Sequence, residues 1–166
     1  PPSAFSVTLS KSDLFLIPAT TRKKTEINYG FVGDVLENKI DVKSLELFLH
    51  QNIVPVIAPI TSNKNGQLLN TNADTIASSL AVALAKSYKT KLIYCFEKDG
   101  VLNGEKVIKS LNSKDYKNLK GQKIINNGMI PKLDNAFSAL TKGVKEVVIR
   151  NSSQLLKQNA GTRITY

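Results

Sequence analysis

Residues 67–96 read QLLNTNADTIASSLAVALAKSYKTKLIYCF. A short strand over 67–69 runs into Asn70-Thr71-Asn72-Ala73-Asp74. Residues 75–89, rich in Ala and Leu, follow as a long helix packed on one face, and 91–96 form the next strand. That strand is apolar almost throughout, so it belongs in a sheet covered on both faces. Strand, helix and strand in succession are the unit of a parallel sheet.

The flanking segments extend the pattern. Toward the N-terminus, residues 5–9, 14–18 and 29–35 read as strands, the last bent into a hairpin by Gly30 and Gly33. Asp41 caps a helix ending near Asn52. Residues 53–58 read as a buried strand with Pro55 where a missing donor is tolerated, and Asn63-Lys64-Asn65-Gly66 is a turn. Toward the C-terminus come a short polar helix over 113–119 with Ser113 as its cap, and a helix over 128–141 closed by Gly143. A strand over 144–149, a helix over 152–158 and a strand over 162–165 complete the reading. The expected fold is α/β: one domain over 1–166, a three-layer sandwich with a mainly parallel central sheet. Ligands then gather at the carboxyl ends of strands, where helices begin.

Composition narrows the classes. The chain has 166 residues, 42% apolar and 22% charged, with no run long enough to span a bilayer. Cys95 is the one cysteine, which excludes an internal disulfide; inside Leu92-Ile93-Tyr94-Cys95-Phe96 it reads as a buried, inert thiol. A cytosolic location is expected. Net charge is +10, but the one compact basic run is Arg22-Lys23-Lys24, read as a solvated loop. Without zinc-ligand spacing or basic residues interleaved with aromatics, nucleic acid is disfavoured as a partner. His50, the one histidine, reads as a helix C-terminal contact.

Two strand-to-helix turns carry candidate chemistry. In the first, Asn72 or Thr71 caps the helix and Asp74 complements its dipole, yet Asn70, Asn72 and Asp74 together exceed what one cap requires. In the second, Asn126-Asn127-Gly128-Met129-Ile130-Pro131-Lys132, Pro131 suits a first helical turn while Lys132 opposes the dipole. Either Lys132 points to water or an anion sits beside it. A carboxylate and a lysine at neighbouring helix starts suit phosphoryl transfer, which rests on positioning and charge neutralisation. No Walker-type Gly-rich run is present, which argues against a P-loop kinase.

Leu69-Asn70-Thr71-Asn72-Ala73-Asp74, Gly100-Val101-Leu102, Gly128-Met129-Ile130-Pro131-Lys132 and Gly161-Thr162-Arg163-Ile164, in that order, resemble the acetylglutamate kinase branch of the amino acid kinase family. Tyr29-Gly30-Phe31-Val32-Gly33-Asp34-Val35 resembles that branch's hairpin over the acylglutamate. The resemblance implies that Asn70 binds the acylglutamate, Asp74 organises the catalytic lysines, and Lys132 stabilises the transition state. It further implies that Gly100, Val101 and Leu102 line the nucleotide site, with Asn126 opposite. Glu97 follows Phe96 where relatives carry Ser/Thr-Asp, so the acid is kept and lengthened while the hydroxyl is lost. Residues 1–60 then hold the hairpin and part of the acylglutamate region, and 61–166 the nucleotide region.

The implied function is phosphorylation of the side-chain carboxylate of an N-acyl-L-glutamate by ATP with Mg2+, in arginine synthesis. No residue is read as a metal ligand, and a homo-oligomer is implied. The family's opening strand, its Lys-containing Gly-Gly turn and its substrate-binding arginine are absent from this sequence, which is expected to be incomplete. The alternative is a catalytically silent nucleotide- or effector-binding module.

Overall fold

The computed structural model describes residues 17–24, 27–125 and 128–166. The strand expected over 5–9, most of that over 14–18, and Asn126 lie outside them. The chain divides after Asn70 into two compact units.

In the first unit, β1 (Ile17–Lys24) and β2 (Ile27–Val35) form an antiparallel hairpin, with Ala19 opposite Val35 and an irregularity between Thr21 and Lys23. The basic run 22–24 is therefore the end of a strand and not a loop. Arg22 Nε lies 2.8 Å from Asp34 Oδ1 across the hairpin, and this partner holds the guanidinium pKa above its ordinary value. Helix α1 (Val42–His50) starts where expected: Asp41 accepts from the Ser44 amide and, at 2.6 Å, from its hydroxyl. Strands β3 (Ile60–Ser62) and β4 (Leu68–Asn70) flank the turn at 63–66, where Asn63 Oδ1 accepts from the Asn65 and Gln67 amides. The four strands close in the order β1-β2-β4-β3, with Val32 beside Asn70.

Residues 53–58 are the clearest departure in this unit. They form no strand, and Val54 and Val56 are 83% and 97% exposed. The apolar pattern suits a strand, but a strand also needs a neighbour to satisfy its backbone.

The second unit begins with α2 (Ala73–Leu84), two residues earlier than expected, because the Asn72 side chain accepts from the Thr75 amide. The sheet runs β5-β9-β10-β8, from β5 (Lys91–Phe96), β8 (Ser110–Leu111), β9 (Glu146–Asn151) and β10 (Thr162–Ile164). A small ribbon, β6 (Leu102–Asn103) with β7 (Lys106–Val107), follows β5. The β5/β9 and β10/β8 pairs are parallel, whereas β10 is antiparallel to β9. Residues 152–158 are not a helix; Ser152–Gln154 make one 3-10 turn. A parallel return needs a crossover of a dozen or more residues, and the short connection from β9 permits only reversal.

Helices α3 (Ser113–Gly121) and α4 (Ile130–Thr141) follow β8, and Asn112 rather than Ser113 caps α3. One sheet face, with Leu92, Tyr94, Val147, Ile149 and Ile164, packs against Ala81 and Val82 of α2 and Leu133, Ala136, Ala139 and Leu140 of α4. Tyr116 of α3 joins this core and stacks on Phe137 at 5.2 Å. The alternate residues Lys91 and Ile93, Glu146 and Val148, and Arg163 border a concave space of about 1080 Å³ on the other face. Cys95 also alternates away from the core and is exposed, which corrects the expectation of a buried thiol: β5 follows period 2 despite its apolar run.

Candidate active site

The first turns of α2 and α4 meet beside the carboxyl half of β5. Asp74 lies in the first turn of α2 and Lys132 in that of α4; Lys132 Nζ sits 2.5 Å from Asp74 Oδ2. Both side chains are substantially enclosed, at 17% exposure for the lysine and 25% for the aspartate. The pair answers the misplaced cation of the sequence. Helix α4 starts without a side-chain cap, and Asp74, itself well placed on the dipole of α2, offsets the charge that Lys132 brings there.

The rest of the surroundings was not legible beforehand. Lys132 Nζ lies 5.8 Å from the ring centroid of Tyr94 and 5.9 Å from that of Phe96. Both rings project from one face of β5, so the ammonium rests against aromatic faces while its proton donors reach Asp74. The Tyr94 hydroxyl donates to the Asp74 carbonyl at 3.2 Å, tying β5 to the start of α2. Burial raises the Tyr94 pKa far above its ordinary value, so the phenol is neutral. The apolar run reads as core, and Tyr94 is buried in it while Phe96 packs half-buried against it; what the run conceals is that an ammonium approaches both rings.

The segment after β5 is anchored to the ends of β9 and β10. Asn151 Nδ2 donates to the Glu97 carbonyl at 2.8 Å, and Gln154 Nε2 to Asp99 Oδ1 at 3.1 Å. The Thr162 hydroxyl accepts from the Val101 amide at 2.8 Å. Glu97 is exposed, Leu102 half-buried in β6, and Gly100 and Val101 buried. A Cβ at Gly100 would stand 2.7 Å from Thr162 Oγ1 and 2.9 Å from Val107 Cγ1. Gly100 therefore lets the segment close against β10, a different reason from open backbone facing a ligand. Asn151 is the residue sequence reasoning passed over, its strand-end position being the available signal; Thr162 was quoted in the closing motif but given no role.

Asn70 ends β4 in the first unit, exposed and paired in register with Val32 of the hairpin. Among the described residues no group of three His, Cys, Asp or Glu side chains is arranged to hold a metal ion. No helix among them is long and apolar enough to cross a membrane.

The model of the amino acid kinase family matches residues 4–151. The acetylglutamate kinase of Parabacteroides distasonis is 46% identical over 160 residues, covering 94% of this chain and 62% of the relative. That of Cytophaga hutchinsonii is 48% identical over 138 residues, 81% of this chain and 52% of the relative. The chain thus spans less than two thirds of the length of these relatives. Among solved structures, smu.665 from Streptococcus mutans superposes with a TM-score of 0.78 at 34% identity, covering 95% of this chain and 59% of that one.

Proposed function

The chain belongs to the amino acid kinase family, in the acetylglutamate kinase branch, and from that premise we propose that the protein transfers the γ-phosphoryl group of ATP to the side-chain carboxylate of N-acetyl-L-glutamate. The observation that carries this reading is the Asp74–Lys132 pair, set at two helix starts beside the carboxyl half of β5.

In the reaction, a carboxylate oxygen of the acylglutamate attacks the γ-phosphorus while the bond to the β–γ bridging oxygen breaks, releasing ADP. Negative charge builds on the leaving phosphate, and Lys132 neutralises it. Asp74 holds the lysine in place before nucleotide arrives. Asn70 and the β1–β2 hairpin bind the acylglutamate. Glu97, Gly100, Val101 and Leu102 form the nucleotide wall, Gly100 and Val101 by holding the segment closed against Thr162 and Leu102 by its half-buried side chain; Asn126, outside the described residues, belongs to the same site. Magnesium would come with the nucleotide phosphates and neutralise their charge, since a carboxylate or two with substrate oxygens is the usual way this ion is held. Asp74 is the carboxylate of the Lys132 pair that would face it.

The product is an acyl phosphate of arginine synthesis. The proposal includes one functional domain over 1–166, its acylglutamate part in 1–60 and its nucleotide part in 61–166. It also includes a third layer completing the sandwich over the second sheet face, a homo-oligomer, and a cytoplasmic location.

Hydroxylamine trapping tests the reaction. With ATP, Mg2+ and N-acetyl-L-glutamate, the protein carrying the family's opening strand, Gly-Gly turn and substrate-binding arginine should yield the hydroxamate of an acyl phosphate and stoichiometric ADP. Nucleotide binding without hydroxamate would replace this reading with that of a silent binding module.

A further inference from the structure

Two aromatic rings enclose Lys132, and neither has a part in the chemistry above. We infer that Phe96, supported by Tyr94, is a positioning residue that fixes the Lys132 ammonium between Asp74 and the transferring phosphate; this rests on the kinase reading of the same site.

The geometry carries the inference in three steps. Tyr94 and Phe96 stand two residues apart on β5 and face the same side, so their rings make a continuous wall beside the first turn of α4. The ammonium lies within the distance at which a ring quadrupole attracts a cation, 5.8 Å from one centroid and 5.9 Å from the other. The attraction strengthens where water is excluded, and Tyr94 is 3% exposed, Phe96 half-buried and the Lys132 side chain 17% exposed.

The wall also resolves a difficulty of the ion pair. A lysine bound to Asp74 alone could follow the carboxylate or turn to solvent when phosphate enters, because its stem has four rotatable bonds. Ring contact on one side and the carboxylate on another restrict that stem. Little movement is then needed to share the ammonium with phosphate. A flat, directionless cation–π contact is suited to this role, since it holds the charge without consuming a proton donor that the phosphate oxygens need. Tyr94 contributes from deeper in the core, locked by its hydroxyl bond to the Asp74 carbonyl. Phe96, nearer the strand end and without a polar tether, is the member that can be changed without disturbing the start of α2.

Three variants of the protein and two readouts test the proposal. Phe96→Leu keeps an apolar side chain and removes the ring face; kcat should fall about tenfold, the scale of a partly desolvated cation–π contact, with KM for N-acetyl-L-glutamate unchanged. Phe96→Tyr keeps the ring and should retain turnover near that of the parent. Independently of activity, the ε-methylene protons of Lys132 should show a ring-current upfield shift in proton NMR that Phe96→Leu diminishes and Phe96→Tyr preserves. Unchanged kcat in Phe96→Leu, or an unchanged shift, would overturn the positioning role. The third variant, Lys132→Ala, separates the underlying reading: if it turns over normally, the lysine has no part in transfer and the proposal falls with it, whatever the shift shows.

Discussion

At the scale of single residues, the pairing of Lys132 with Asp74 reverses a simple expectation from helix dipoles. An unpaired lysine in a helix first turn is a mild liability, and its removal should be neutral or slightly stabilising. Here the lysine neutralises a partly enclosed carboxylate. Lys132→Ala should therefore lower stability by about 1 kcal/mol, at the upper end for exposed pairs and below that of fully buried ones. Urea unfolding measures it, and Asp74→Asn in the same background should recover part of the loss. Turnover in the Lys132→Ala protein should fall on the order of 10²- to 10³-fold, without recovery in the double variant. A full return of turnover would remove the lysine from the chemistry.

Gly100 makes a second prediction at this scale. Gly100→Val places a branched side chain against Thr162 and Val107, where even a Cβ is 2.7 Å from the nearest atom. Overpacking of this kind costs about 1–3 kcal/mol, so the melting temperature should drop, in contrast to the intact fold with weakened nucleotide binding that a ligand-facing glycine would give. Thermal melts without nucleotide distinguish the two. Tyr94 supplies a pH dependence. Its folded pKa is raised, chiefly by burial, above the ordinary tyrosine value of about 10. A raised folded pKa means stability that is fully present below the unfolded pKa and lost as pH rises beyond it. Unfolding free energy should thus decline above about pH 10, and Tyr94→Phe should flatten that alkaline limb; an unchanged slope would place its cause elsewhere.

At the scale of elements, local signals and neighbours divide the outcomes. Helices α1 and α2 start where Asp41 and Asn72 can accept from amides three residues on, a decision made within one turn of chain. The segment 53–58 shows the opposite dependence. Its β-branched residues favour extended backbone, but no described strand pairs with it, and Val56 remains almost wholly exposed. Val56→Lys should accordingly change stability by no more than about 0.5 kcal/mol, as surface substitutions do. It should also reduce the binding of a hydrophobic dye to the chain. A large loss of stability would mean that the valine is packed in solution.

At the scale of the whole molecule, the core that joins α2 and α4 to the sheet is drawn from residues beyond position 71. A fragment of residues 71–166 should therefore unfold cooperatively by itself, as a unit with its own apolar core does; a non-cooperative melt would show that it needs residues 1–70. The sequence by itself determined the positions of α1, α2 and α4, the Asp41 cap, the turn at 63–66, strands β5 and β9, the family, and the two helix starts that bear Asp74 and Lys132. Each of these is encoded over a few consecutive residues, in periodicity, capping groups or motif spacing. Only the tertiary structure decided that the lysine meets the aspartate across 58 positions, that Tyr94 and Phe96 face it, and that β10 runs against β9. It also decided that Cys95 and residues 53–58 are exposed. Those outcomes depend on which surfaces meet, and an apolar residue looks the same in sequence whether or not a neighbour arrives to cover it.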